Sequence, residues 1–109
     1  MTDTYLLVQT TCPDTDTARH LAKKLLDQKL AGCINLVDGI ESHYNWEGER
    51  KSGTEVLMLI KTREALYPAL EEAIVSGHPY ELPEVIAVPV TAGLPGYLQW
   101  VSDSTLNKS

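Results

Sequence analysis

An α+β fold of order βαββαβ, closed by a short extra C-terminal helix, is the fold class the sequence predicts. Three observations carry it. Four segments are rich in strand-forming residues or alternate every second position. Two segments repeat apolar residues at helical spacing. Proline, glycine and acidic clusters punctuate the joins between them. The 109 residues make one domain with one core, taken as residues 1–109.

Tyr5-Leu6-Leu7-Val8-Gln9-Thr10-Thr11 reads as strand one, and Cys12-Pro13 ends it, because proline cannot donate to a sheet ladder. Asp14 is a good N-cap, and Asp16 puts negative charge in the first helical turn. Ala18, Leu21, Ala22, Leu25 and Leu26 then form an apolar stripe, with Leu30 near its end. Cys33 to Val37 is strand two, interrupted by a bend or bulge at Asp38-Gly39. It resumes with Ile40, Ser42, Tyr44 and Trp46 on one side and Glu41, His43 and Asn45 on the other.

Glu47-Gly48-Glu49 is a turn, and Thr54 to Thr62 returns as strand three. Val56, Met58 and Ile60 share one face of that strand; Leu57, Leu59 and Lys61 share the other. Leu66, Leu70, Ala73 and Ile74 mark a second amphipathic helix. Pro68 is tolerated only in a first turn, so this helix begins close to Tyr67. Val85 to Val90 reads as a buried fourth strand. Ala92 to Gly96 is a loop, Tyr97 to Val101 a short terminal helix, and the tail from Ser102 is expected to fray.

This order is the split-βαβ, ferredoxin-like layout, with both main helices on one face of a four-stranded antiparallel sheet. The other face is then bare. Apolar residues on both faces of strand three would expose a large patch on a monomer. The pattern therefore predicts an oligomer that buries the second face.

Composition narrows the function. Hydrophobic residues are 43% and charged residues 22%, which is globular and not disordered. A net charge of -6 repels phosphate backbones and argues against nucleic acid. No apolar run approaches the roughly 18 residues that span a bilayer, so no membrane partner is expected. Met1 to Thr4 shows no basic region or signal-peptide core, and cytoplasmic localisation is the expectation. Cys12 and Cys33 suit a reducing compartment and a fold that does not rest on disulfides. There is no glycine-rich phosphate loop, nucleophile elbow or closed zinc spacing. No acid/base pair with a defined substrate emerges, so no enzymatic activity is expected.

Chemistry concentrates in Gly77-His78-Pro79-Tyr80-Glu81-Leu82-Pro83-Glu84, which gathers an imidazole, a phenol and two carboxylates. Its two prolines rule out a regular helix. Gly77 can stop the preceding helix in the left-handed cap conformation, leaving a rigid, extended link.

With these segments placed, the sequence resembles the CutA divalent-cation-tolerance family. The matching stretches run in order along nearly the whole chain: Thr11-Cys12-Pro13, Leu30 to Asn35, Tyr44 to Gly48, Glu55 to Thr62, His78 to Glu81, Glu84 to Val90 and Tyr97 to Trp100. The resemblance implies a ferredoxin-like subunit in a tight homotrimer, with long hairpins pairing across subunits. It also implies a link to tolerance of copper and other divalent metals. The trimeric architecture is similar to that of PII-type signal transducers, which sense small ligands in inter-subunit clefts.

Two site hypotheses follow. In the first, the chain binds a divalent cation, copper foremost, through His78 and then Cys12. Imidazole suits copper, zinc or nickel. Cys12 precedes a helix N-terminus, whose dipole favours a thiolate. The competing readings are a histidine that shapes a loop and a small residue that closes a turn. Some family members carry a second histidine before the His-Pro-Tyr motif; Gly77 stands there in this chain, so that chelate is absent. Glu41 and His43, an i, i+2 pair, can share a metal or form a solvated sheet face, and His20 is a surface residue of the first helix. Cys33 is a core residue.

In the second hypothesis, Lys61, Tyr80, Glu81, Glu84, Tyr44, Trp46 and Trp100 line a cleft between subunits for a small polar ligand or a protein partner. Lys61 would pair there with a carboxylate of the His78–Glu84 segment. The competing reading is aromatic packing and a structural ion pair at the trimer interface.

Overall fold

The structure, a computed structural model, describes residues 3–106. Chain order is β1 (Tyr5–Cys12), α1 (Thr15–Asp27), β2 (Cys33–Trp46), β3 (Glu49–Arg63), a single 3₁₀ turn (Glu64–Leu66), α2 (Tyr67–Gly77), β4 (Ile86–Val90) and α3 (Pro95–Asp103). The sheet runs β2-β3-β1-β4, antiparallel throughout. This is the expected split-βαβ order, with the first and third strands central.

Local chemistry explains the element boundaries. Asp14 is extended, and its side chain accepts the Thr17 N–H at 2.7 Å, which satisfies a donor the first turn of α1 leaves free. Ala18, Leu21 and Leu25 of α1 are buried against Leu70, Ala73 and Ile74 of α2 and Val8, Met58 and Ile60 of the sheet. Leu26 departs from the expected stripe and is exposed. It sits one position past the buried Leu25, so it turns about 100° away from the core.

β2 bends as expected, with a register shift between Val37 and Ile40 and Gly39 at a φ of 75°. The Glu47-Gly48 turn holds both central residues at positive φ, 51° and 80°. Such a primed turn matches the twist of the strands it joins. It also explains why β3 begins at Glu49 and not at Thr54. Backbone pairing follows directly from a two-residue turn, whatever the polarity of residues 49–53. The hairpin projects as an arm. The molecule measures 47 × 26 × 22 Å, and its radius of gyration of 14.6 Å exceeds the roughly 13 Å of a compact domain of this length.

α2 starts at Tyr67, with proline in its first turn, as expected. Its end differs from expectation. Gly77 is the last helical residue and is not left-handed. What its missing side chain provides is space: a Cβ there would stand 3.3 Å from Lys24 Nζ and 3.4 Å from Leu21 Cδ1. Lys24 Nζ donates to the Ala73 carbonyl at 3.1 Å and to Ser76 Oγ at 3.0 Å, tying α1 to the last turns of α2.

The link after α2 is bent over residues 79–82 rather than extended. β4 is an edge strand and is not buried: Ile86 is 51% and Val88 45% exposed. Pro89 costs no ladder bond on such an edge. The tail also differs from expectation. Ser102 and Asp103 complete α3, and Thr105 is buried with its Oγ1 accepting from Arg63 Nε at 2.9 Å. Residues 107–109, and Met1 and Thr2, lie outside the described residues.

Strand register places Leu7, Gln9, Leu57, Leu59 and Lys61 on the face opposite α1 and α2. α3 covers one end of it, where Tyr5 and Ser102 hydroxyls meet at 2.5 Å and Val101 packs over Gly32. The rest of that face is open, with Val37, Ile86 and Val88 exposed.

Candidate functional site

His78 caps the C-terminus of α2, and its ring turns back toward the end of β1. Nε2 donates to the Thr11 carbonyl at 2.8 Å, and Nδ1 accepts the Tyr80 N–H at 3.1 Å. An imidazole that accepts at one nitrogen and donates at the other is neutral, so these bonds select the Nε2-protonated tautomer. The Tyr80 ring packs at 4.7 Å between centroids. Its hydroxyl donates to Glu55 at 2.7 Å. Burial, that bond and the Glu55 charge hold the Tyr80 phenol well above its ordinary range.

Cys12 Sγ lies 3.9 Å from His78 Nε2, 66 positions away in sequence, and 3.6 Å from Met58 Sδ. The two residues singled out as soft donors are thus neighbours in space. The thiolate expectation is overturned: burial first, then the charges of Asp14 and Glu55, push the Cys12 thiol up to about 11. Desolvation and two carboxylates outweigh the helix N-terminus here. Cys12 and Cys33 are both free thiols.

A testable consequence concerns pH. The folded pKa of Cys12 lies above its ordinary 9.0, so the folded chain retains this proton longer than the unfolded one. Its contribution to stability is complete below about pH 9 and lost as pH rises through about 11. Two pKa units also leave the thiolate about a hundredfold scarcer at pH 8. Alkylation of Cys12 by iodoacetamide, read by peptide mass spectrometry, should therefore run at least about a hundredfold slower in the folded chain than in urea.

Beside this pair opens a cleft of about 800 Å³, walled by the hairpin arm and the bent link. Tyr44, Trp46, Tyr80, Glu81 and Glu84 line it, so five of the seven residues expected at a cleft between subunits come together within one subunit. Glu41 and His43 also line it, joined at 2.5 Å. Lys61 and Trp100 stand apart within the subunit. Trp100 packs with Tyr97 on α3 at 5.7 Å between centroids. Lys61 donates to Asn35 Oδ1 and, among the described residues, has no carboxylate within ion-pair distance.

Glu55 was not singled out by the sequence, yet it anchors Tyr80 and faces the cleft. The signal was the period-two pattern: Glu55 shares a face with Leu57, Leu59 and Lys61. Lys51 of the arm is the lysine in the lining, and it lies 3.2 Å from Glu49.

Comparison with known proteins agrees with this architecture. The family model described as the CutA1 divalent ion tolerance protein matches residues 6–104. The divalent-cation tolerance protein CutA of Thermus thermophilus is 39% identical over 99 residues, 91% of this chain and 96% of that protein. Protein CutA of Mus musculus is 47% identical over 95 residues, 87% of this chain and 54% of that one. This chain also spans only 56% of the chloroplastic CutA of Arabidopsis thaliana, so it covers about half the length of these plant and animal relatives. The crystal structure of CutA1 from Oryza sativa superposes with a TM-score of 0.93 at 42% identity, covering 96% of each chain. By its sequence and by its fold, the chain belongs to the CutA1 divalent ion tolerance family.

Proposed function

We propose that this chain is a cytoplasmic, non-enzymatic homotrimer that binds a divalent cation, copper foremost, and so contributes to metal tolerance. The supporting observation is the 3.9 Å approach of Cys12 Sγ to His78 Nε2. A tetrahedral ion holding one sulfur and one imidazole nitrogen separates them by about 3.6 Å. The pair therefore fits as two donors of a soft ion, which thiolate and imidazole both favour. When bound, the ion would supply sequestration or a sensing signal, with no bond made or broken in a substrate.

Binding has identifiable costs in this chain. Cys12 must give up a proton that its surroundings retain, and His78 must exchange the Thr11 carbonyl for the ion. Affinity should accordingly rise with pH. No third histidine, cysteine or carboxylate completes a cluster with the pair among the described residues, so the remaining positions fall to water or to another subunit.

Calorimetric titration of the reduced, tag-free protein with buffered copper and zinc tests this reading. One saturable site per subunit is expected, at least about tenfold weaker in His78→Ala through loss of one ligand. Equal binding by the variant refutes the assignment.

The cleft supports a second reading, a PII-like trimeric module that senses a small polar ligand or holds a protein partner. Its volume of about 800 Å³ falls within the range of small-molecule sites, and it combines aromatic rings with a few polar groups.

A further inference from the structure

The second sheet face separates its charges. Lys61 sits opposite Leu7 of β1, which in turn sits opposite Val88 of β4. Continuing the β1–β4 register puts Glu84 opposite Thr11, four residues along from that row. The two charges are then about 13 Å apart along the strands and about 10 Å across two strand spacings. No side-chain rotation within one subunit closes that gap.

Each charge lacks a counterpart of its own. Lys61 is half-buried among Leu7, Leu59 and Cys33, with Asn35 as its hydrogen-bond acceptor. Glu84 lies in the cleft with Glu41, Glu55 and Glu81, and among the described residues it forms no ion pair. The ground between them is mostly apolar: Leu7, Leu57, Leu59, Val37, Ile86 and Val88 surround a single amide, Gln9 of β1, and the last three of these are exposed.

We infer that, within the trimer proposed above, Lys61 pairs across this face with Glu84 of the partner subunit. The cleft, whose own lysine is Lys51 beside Glu49, thereby gains a second cation at its Glu84 end. The inference rests on the trimer proposed above and names the contact that selects its arrangement. Covering the apolar rows would strip water from Lys61, and a buried ammonium with only an amide partner is costly. A covering surface must therefore bring a carboxylate to that point. The chain carries the matching carboxylate on the same face, out of reach of its own lysine, so a second copy supplies both halves of the match. With a net charge of -6, copies otherwise repel, which makes an interfacial cation more important.

Reciprocal charge exchange tests the pairing. Wild type, Lys61→Glu, Glu84→Lys and the double variant are compared at equal concentration by size-exclusion chromatography with light scattering. Dissociation on dilution gives the affinity of assembly. Each single change should weaken assembly at least about tenfold, and the double variant should recover most of that loss. Glu84 is exposed, so Glu84→Lys tests the contact even where Lys61→Glu disturbs folding. Far-UV circular dichroism verifies the fold of each variant. A trimeric wild type in which Glu84→Lys assembles normally, or in which the double variant shows no recovery, overturns the pairing and leaves the trimer intact. A monomeric wild type overturns both and assigns the face to a different partner.

Discussion

Met58→Asp is expected to leave no cooperatively folded protein at neutral pH. Met58 is fully buried on the inner face of β3, a central strand, and its sulfur touches Cys12. Asp at this point must either carry a charge among aliphatic side chains or take up a proton, and either course costs several kcal/mol. The shorter side chain also leaves a void in the core cluster beside Cys12, adding a cavity penalty of about 2–5 kcal/mol, the range for large-to-small core changes. Together these match the roughly 5–15 kcal/mol that holds a domain of this size. Urea titration by circular dichroism should show no folded baseline at pH 7. Lowering the pH should return partial structure, because a neutral carboxyl is cheaper to bury. Met58→Leu, which nearly conserves volume, should lose less than about 1.5 kcal/mol. A wild-type midpoint for Met58→Asp would contradict the core described above.

Leu25→Ala should cost about 2–5 kcal/mol, whereas Leu26→Ala should cost less than about 1 kcal/mol. The two leucines are adjacent in α1, yet Leu25 is fully buried and Leu26 is 43% exposed. Leu25 packs in the cluster formed by α1, α2 and the sheet, where neighbours cannot collapse fully into a void. Leu26 has no such enclosure, and alanine's higher helix propensity offsets part of its loss. Urea midpoints at unchanged slope separate the two. Chain concentration must be held equal, since assembly adds to apparent stability by mass action. Similar losses at both positions would mean that the outer side of α1 is buried by another subunit.

Much of the fold was legible in the residues because its signals are local. Asp14 caps α1 through a hydrogen bond three residues on, and Pro68 marks the start of α2. Gly39 and Gly48 supply positive φ where the strand bends and turns. The alternation from Val56 to Lys61 distinguished a helix-covered face from an open apolar one. The four-stranded layout followed from the βαββαβ order of elements, and the expectation of a covering partner from that alternation. The low signal for β3 residues 49–53 had a clear cause: their pairing comes from the turn and not from their side chains.

The site was legible as residue types, but its chemistry was not. The sequence alone singled out His78, Cys12, Tyr80, Glu81 and Glu84 as candidate groups. It could not state the protonation of Cys12, because that depends first on burial and then on the charges of Asp14 and of Glu55, the latter 43 positions away. Nor could it place Thr11 against His78 Nε2, which spans 67 positions. Local propensity and period act over a few residues and so are written in sequence order. Desolvation, charge pairing and donor geometry act over a few ångströms and depend on which strands become neighbours. That is why fold class and candidate residues came from the chain itself, while the neutral imidazole, the protonated thiol and the separation of Lys61 from Glu84 were decided by tertiary packing.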